Sequence, residues 1–292
     1  LRAAADLPDR RIAVASAESP EVLEAVERAR AEGIATATLV GDVPAIRALL
    51  AGLGIDPAPY DFEQAAEPAD AAARAVRLVA TGEADICLKG LLDTSVLLRA
   101  VLDREHGLRE PGPGVLSHVA LFEAPHYPRL FAVTDAAMNI APDVPTLAAL
   151  VRNAVRVTRA LGIDPAKVAA LAAKEKVSPK MPATVAAAQL ASMSFDGAIV
   201  AGPLALDGAI SPDAAAVKGI AGPIQGDADV LLAPWIEAGN ALYKALTLLC
   251  GARAAGIVVG ARRPVVLTSR ADDDDTVLSS IALAMLVAEA AR

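Results

Sequence analysis

Short apolar runs rich in Val, Ile, Leu and Ala alternate with longer amphipathic stretches of helical period along almost the whole chain. This alternation constrains the fold more than any other feature. A strand followed by a helix and another strand forms a right-handed crossover unit, and repetition of that unit builds a parallel sheet covered by helices. The pattern predicts strands at 11–16, 37–41, 85–89, 118–122, 130–134, 168–171, 197–200, 229–232, 256–259 and 264–268. It predicts helices at 20–31, 43–53, 65–80, 94–103, 146–161, 182–193, 237–249 and 276–291. Ser19-Pro20 opens the first long helix, with Glu21, Glu24 and Glu27 early in it, where acids suit the helix dipole. Asp143 and Gly162 punctuate the helix at 146–161. So many strands strain a single open sheet. The pattern breaks at the Pro/Gly-rich segment 110–114 and at 135–145. We therefore expect two α/β lobes with mostly parallel sheets: 1–120 plus 263–292, and 121–262, with a cleft between them.

Composition narrows the chemistry. The chain is 54% hydrophobic but only 3% aromatic. Such a sequence suits small helices packed on buried parallel strands. The net charge of −8 argues against nonspecific nucleic-acid binding and against an anionic membrane surface. No run approaches the roughly 20 apolar residues of a spanning helix. Residues 1–11 lack the apolar core of a signal peptide. Cys87 and Cys250 each lie in an apolar run, without a CxxC, and read as buried free thiols of a cytoplasmic protein.

Several common chemistries are missing. The sequence has no Walker-type phosphate loop, no Gly-x-Gly-x-x-Gly after a strand and no Gly-x-Ser-x-Gly elbow. His106, His118 and His126 are the only histidines. No two of them share one helix face at metal-ligand spacing, so they read as surface or loop residues.

Polar clusters do interrupt the apolar runs at strand ends and helix starts. They are Lys89-Gly90 with Asp93-Thr94-Ser95 and Arg99; Asp135 with Asn139; Lys174-Glu175-Lys176 with Lys180; Gly202-Pro203 with Asp207; and Glu237 with Asn240 and Lys244. Ligands in open α/β folds gather beyond the carboxyl ends of strands. Each cluster also has a plainer reading: Thr94 caps a helix, Asp207 holds a turn, Glu237 serves a helix N-terminus. Taken together they suggest the lining of one cleft. The last cluster is Ser269-Arg270, at the end of the final apolar run and ahead of Asp272–Asp275 and an apolar helix. A strand–Ser–Arg–turn–helix junction suits an oxyanion, because free N–H groups and a guanidinium fork converge there. An arginine that is merely a surface charge is the alternative.

The segments LKGLLDTSVLLRAVL from Leu88, LFAVTDAAMNIAPD from Leu130, KVSPKMPAT from Lys176, GPLALDGAIS from Gly202, PWIEAGNALYKALT from Pro234 and VVLTSRADDDDTVLSSIALA from Val265 together carry a resemblance. Over essentially its whole length the sequence resembles the phosphate acetyltransferase and phosphate butyryltransferase family, nearest the butyryltransferase branch. The resemblance implies a two-lobed fold similar to isocitrate and isopropylmalate dehydrogenases, with the active site in the interlobe cleft. It implies reversible transfer of a short-chain acyl group, butyryl in this branch, between CoA and inorganic phosphate. The route is a ternary complex without a covalent enzyme intermediate. Ser269 and Arg270 match the family's phosphate site. Arg99 stands where the family places a second arginine, after a loop one residue shorter than in acetyltransferases. Paired arginines can neutralise phosphate and hold it against the thioester carbonyl. Lys89, Thr94, Ser95, Asn139, Glu237 and Asn240 are implied substrate-side residues. CoA enters as substrate, with no cofactor and no metal. The partners implied are acyl-CoA, phosphate and acyl phosphate, in a homodimer or larger homo-oligomer.

Some positions depart from the family pattern. Thr276 stands where acetyltransferases carry a carboxylate held to be the base for the CoA thiol, leaving Asp275 or Asp272 to replace it. A thiol of pKa about 8.5 is already partly ionised at neutral pH, which makes a strong base dispensable. Asp273 and Asp274 read as helix-start acids. Ala201 and Trp235 each replace a frequent acid. Three activities thus stay open: a butyryl- or acetyltransferase, a dehydrogenase on the same fold, and a CoA-binding homologue without transferase activity. The intact Ser-Arg motif, and the lack of a metal-binding aspartate pattern, count against the dehydrogenase.

Overall fold

The structure is a computed structural model that describes residues 1–8, 10–110, 114–125, 127–267 and 273–292. In chain order the elements are α1 (Arg2–Ala5), β1 (Arg11–Ala15), α2 (Pro20–Ala31), β2 (Thr36–Gly41), α3 (Val43–Gly52), β3 (Asp61–Gln64), α4 (Pro68–Thr81), β4 (Ile86–Lys89), α5 (Thr94–Val101), β5 (Ser117–Glu123) and β6 (Phe131–Thr134). There follow α6 (Val144–Ala160), β7 (Ala166–Leu171), α7 (Pro182–Ala191), β8 (Ala198–Leu204), α8 (Leu206–Ile210), α9 (Pro212–Lys218), β9 (Val230–Leu232), α10 (Ile236–Lys244), β10 (Arg253–Val259), β11 (Val265–Val266) and α11 (Asp274–Ala290). The chain divides into two compact units, 1–114 with 255–292, and 115–254.

In the first unit the strands run β3-β2-β1-β4-β11-β10. All neighbours are parallel except β10 and β11, which pair antiparallel at Val258 and Val265. Ile12, Leu39, Ile86 and Leu88 are fully buried, as a sheet covered on both faces requires. Helix α11 packs on α2 and buries Val277, Leu278, Ile281 and Met285. At the amino edge of this sheet Arg10 is buried and bonds both Asp85 and Glu289, while Arg292 reaches Asp85 at 2.6 Å. A buried guanidinium needs such partners, because stranding it would cost several kcal/mol, on the order of 3–5.

In the second unit the order is β5-β6-β9-β7-β8. Strands β5 and β6 are antiparallel and the rest parallel. Its core is where the scarce aromatics gather. Phe122 stacks on Phe131 at 5.7 Å, and Tyr243 meets Phe122 edge-on at 5.3 Å. Each fully buried ring contributes roughly 1.5–3 kcal/mol.

The alternation in the sequence is realised as helix-covered sheets, with instructive differences. Two strand pairs are antiparallel because no helix separates them in the chain: a loop joins β5 to β6 and a short turn joins β10 to β11. Strand β3 escaped the apolar pattern because Asp61–Gln64 is polar and half-exposed. Helix α10 ends at Lys244, and Ala245–Leu249 continue as a π-helical turn that leaves Leu248 and Leu249 exposed. Cys250 follows that turn and is exposed, contrary to the expected burial, whereas Cys87 is buried; both are free. Burial pushes the Cys87 thiol up to about 12, so it is inert as a nucleophile. His118 lies in β5, within the strand expected at 118–122, but it is buried rather than at the surface. His106 is exposed, and His126 lies outside the described residues. Asp143 caps α6 by accepting from the Thr146 N–H at 2.9 Å, which holds its carboxyl below the usual range. Ser19 makes no cap; its hydroxyl donates to Glu21 instead, and Pro20 starts the helix.

Candidate functional site

In the first unit the carboxyl edge of the sheet carries the polar residues at the end of β4. Lys89 is buried, and its ammonium donates to the carbonyls of Gly90 at 3.1 Å and Leu92 at 3.3 Å. The turn that follows lies hard against the end of β1. Leu91 N–H donates to the Ser16 carbonyl at 2.7 Å, and a Cβ at Gly90 would stand 2.0 Å from that same oxygen. Only glycine fits there. Asp93 then starts α5, which presents Thr94, Ser95 and Arg99 on its exposed face. Arg99 forms no ion pair among the described residues. Strand β11 runs parallel to β4 with Val266 beside Leu88, so both strands end at one edge. Ser269, Arg270 and Asp272 come shortly after β11 in the chain and lie outside the described residues.

The start of α11 is settled by its acids. Asp273 accepts from the Thr276 N–H at 2.8 Å and caps the helix, which holds its carboxyl low. Asp274 and Asp275 both pair with Arg28 of α2, Asp275 at 2.8 Å. Asp275 is therefore engaged, and Thr276 contributes its backbone to the helix start.

In the second unit the carboxyl edge of β6 and β9 holds a denser arrangement around Asp135. This carboxylate is 2% exposed. It accepts from the backbone N–H of Ala137 at 2.8 Å, Met138 at 3.0 Å and His118 at 3.3 Å, and from the Asn139 amide at 2.6 Å. Asn139 also donates to the Leu116 carbonyl at 2.9 Å. A buried charge held by several donors is an anchored one. The first turn of α10 closes on this loop. A Cβ at Gly239 would lie 2.2 Å from the Asp135 carbonyl oxygen, and Asn240 donates to the Ala136 carbonyl at 3.1 Å. Glu237 sits exposed in that same first turn. The His118 ring meets Tyr243 edge-on at 5.9 Å, and its buried Nδ1 has no hydrogen-bond partner among the described residues. Burial lowers the pKa of this imidazole, opposed in part by the charge of Asp135.

The predicted residues thus fall into local groups. Lys89, Thr94, Ser95 and Arg99 share the β4–α5 segment, whereas Asn139 and Asn240 bond to Asp135 and Ala136, and Glu237 stands exposed in the first turn of α10. Asp207 and Glu175, from two other polar motifs, are tied together by Lys218 at 2.7 and 2.9 Å. That pairing accounts for Asp207 and Glu175 without a ligand. Asp135 and His118 were undervalued by sequence reasoning. The signal available was a Thr-Asp pair directly at the end of an apolar strand. Among the described residues no group of His, Cys, Asp and Glu could hold a metal. None of the described helices is long and apolar enough to cross a membrane.

An open, mostly parallel α/β architecture with anchored polar groups at the carboxyl ends of its strands defines a class of protein that binds small ligands there. Comparison with known proteins narrows the class. The chain belongs to the phosphate acetyl/butaryl transferase family, which it matches over residues 58–285. It is 47% identical to the phosphate butyryltransferase of Clostridium acetobutylicum, across 96% of this chain and 93% of that one. It is 38% identical to the phosphate acetyltransferase of Thermotoga maritima, across 96% and 95%. Among solved structures, a branched-chain phosphotransacylase from Enterococcus faecalis superposes with a TM-score of 0.87 at 38% identity, covering 96% of this chain and 99% of that one.

Proposed function

We propose that this chain is a phosphate acyltransferase that moves a short-chain acyl group reversibly between CoA and inorganic phosphate. The observation that carries the reading is the likeness, over nearly the full length, to the Clostridium acetobutylicum phosphate butyryltransferase. A phosphate oxygen attacks the thioester carbonyl, the C–S bond breaks, and CoA leaves as thiolate. Ser269, Arg270 and Arg99 hold the phosphate and offset its charge in a ternary complex. Lys89 adds positive charge at the end of β4, and Thr94 and Ser95 offer hydroxyls beside it. Positioning and charge stabilisation are the main catalytic contributions in such a reaction. In the reverse direction the thiol loses its proton. Asp275 is the candidate acceptor, and it must release Arg28, 2.8 Å away, to turn toward a thiol. Asn139 and Asn240 shape the loop at Asp135, and Glu237 stands at its rim. CoA is substrate rather than cofactor, the setting is cytoplasmic, and the assembly is a homodimer or larger.

The test is phosphate-dependent release of CoA thiol from acetyl-, butyryl- and longer acyl-CoA. Release that requires phosphate supports the reading, and the ranking separates a butyryl- from an acetyltransferase. Release without phosphate identifies a thioester hydrolase. No release with any substrate leaves a CoA-binding homologue. Replacing Arg270→Gln should cut kcat/KM by about 100-fold or more, as loss of a charge-stabilising group at a transition state does. Near-normal kinetics for a folded variant would remove Arg270 from the site.

A further inference from the structure

The carboxyl edge of the first unit holds a strained residue without a role so far. Ser16, the first residue after β1, has a φ of 53°. Among the described residues it is the only one other than glycine at positive φ. That backbone is strained for any residue with a Cβ, and glycine is its usual occupant. Eleven described glycines of this chain sit at positive φ, so glycine is what the chain ordinarily uses for such turns. A serine kept in that conformation points to a use for its side chain, because such outliers persist where function requires them.

The surroundings hold this residue from both sides. The Ser16 carbonyl accepts the Leu91 N–H at 2.7 Å, and the Ala15 carbonyl accepts the Gly90 N–H at 2.9 Å. The Ala17 N–H donates to the Val40 carbonyl at 3.0 Å. The kink is thus stitched to the ends of β4 and β2. Ala15 pairs with Lys89 in the sheet register, so Ser16 follows on beside Gly90. The side chain itself is nearly buried, since Ser16 is 4% exposed. Its hydroxyl forms no hydrogen bond among the described residues. Nor is it sealed from water, as the Arg10 Nε and the His118 Nδ1 are. Buried polar groups find partners, so this hydroxyl takes its partner from the solvent side. Strand β1 ends at the edge where open α/β folds bind ligands. The nearest acid along the chain, Glu18, is engaged elsewhere, accepting the Asp42 N–H at 2.6 Å.

We infer that Ser16 is a further substrate-binding residue, whose hydroxyl donates a hydrogen bond to an oxygen of the phosphate. The inference rests on the acyltransferase reading, which puts Lys89, Thr94, Ser95 and Arg99 to work at this same edge. It adds a donor from the end of β1 to those from β4 and α5. The kinked backbone fixes where the hydroxyl starts from before the anion arrives, so little further ordering is needed on binding.

The experiment uses Ser16→Gly, which removes the hydroxyl and relieves the backbone. The variant should melt within about 2 °C of the wild type or above it. Its KM for phosphate, measured with butyryl-CoA, should rise by about 10-fold or more, as loss of a hydrogen bond to a charged group does. Its KM for butyryl-CoA should stay within about twofold, because the bond lost is to phosphate alone. Inorganic phosphate alone should raise the Tm of the wild type, and raise that of Ser16→Gly less. Ser16→Ala lacks the hydroxyl but keeps the strain, so it should lose phosphate affinity equally and melt below Ser16→Gly. An unchanged KM for phosphate in Ser16→Gly overturns the inference and leaves the acyltransferase reading standing. So does an equal rise in both KM values, or a fall in Tm of more than about 5 °C, since either would make Ser16 a structural part of the turn. Absence of phosphate-dependent turnover in the wild type overturns the acyltransferase reading. The Ser16 contact is then judged by the thermal shift alone, and an equal shift in wild type and variant overturns it too.

Discussion

Asn139 was singled out in the sequence as a substrate-side residue, and the structure gives it a second, testable job. Its amide donates to the carboxylate of Asp135 at 2.6 Å and to the Leu116 carbonyl at 2.9 Å. Replacing Asn139→Ala removes both bonds. A hydrogen bond to a charged group is worth about 1.5–3 kcal/mol and a neutral one about 0.5–1.5. Asn139 is only half-buried, so water recovers part of this. A net loss of about 2–3 kcal/mol remains by the same figures. For a unit of this size each kcal/mol lowers Tm by roughly 2–4 °C, so the melting point should drop by about 4–12 °C. The assay is a thermal melt followed by circular dichroism, with Glu237→Ala as the control. That exposed side chain should cost about 0.5 kcal/mol or less. If Asn139→Ala melts within about 2 °C of the wild type while its KM for acyl-CoA rises, the bonds to Asp135 are not stabilising and the residue serves the ligand alone.

Two further outcomes follow from the same neighbourhood. Gly239→Ala drives a Cβ to 2.2 Å from the Asp135 carbonyl oxygen, so α10 must move away and loosen the Asn240 bond to Ala136. It should destabilise by about 1–3 kcal/mol, measured by urea denaturation, and a neutral result would show that the helix shifts freely. His118 is depressed by burial, so the folded state resists protonation that the unfolded state accepts. Its contribution is therefore complete above the unfolded value of about 6.5 and is lost as pH falls below it. His118→Phe should flatten the decline in Tm between about pH 7.5 and 5.5, and parallel curves for variant and wild type would contradict that account.

Much of this molecule was legible in its sequence, for local reasons. Buried parallel strands must be continuous apolar runs, and covering helices must carry an apolar face, so β1, β4, α2 and α6 stand out without a structure. The Asp143 cap and the proline at the start of α2 act within a few residues and could be read directly. The family motifs likewise lie in short contiguous segments. Other features depend on pairings that the chain order does not encode. Strand β3 forms only because β2 offers an open edge to a polar segment. Asp207 and Glu175 belonged to separate polar clusters in the sequence, and only the fold shows that Lys218 holds both. Asp275 looked free until Arg28, far away in the chain, met it across the α2–α11 packing.

What the sequence by itself determined is the alternation of elements, the helix starts and the chemical types available at strand ends, because each depends on neighbours along the chain. Only the tertiary structure decided which polar groups pair with one another, that His118 is buried with a nitrogen unpartnered among the described residues, and that alanines on α7 leave an apolar cavity beside Trp235. Burial, charge pairing and empty volume are properties of surfaces brought together from distant parts of the chain, and no local pattern carries them.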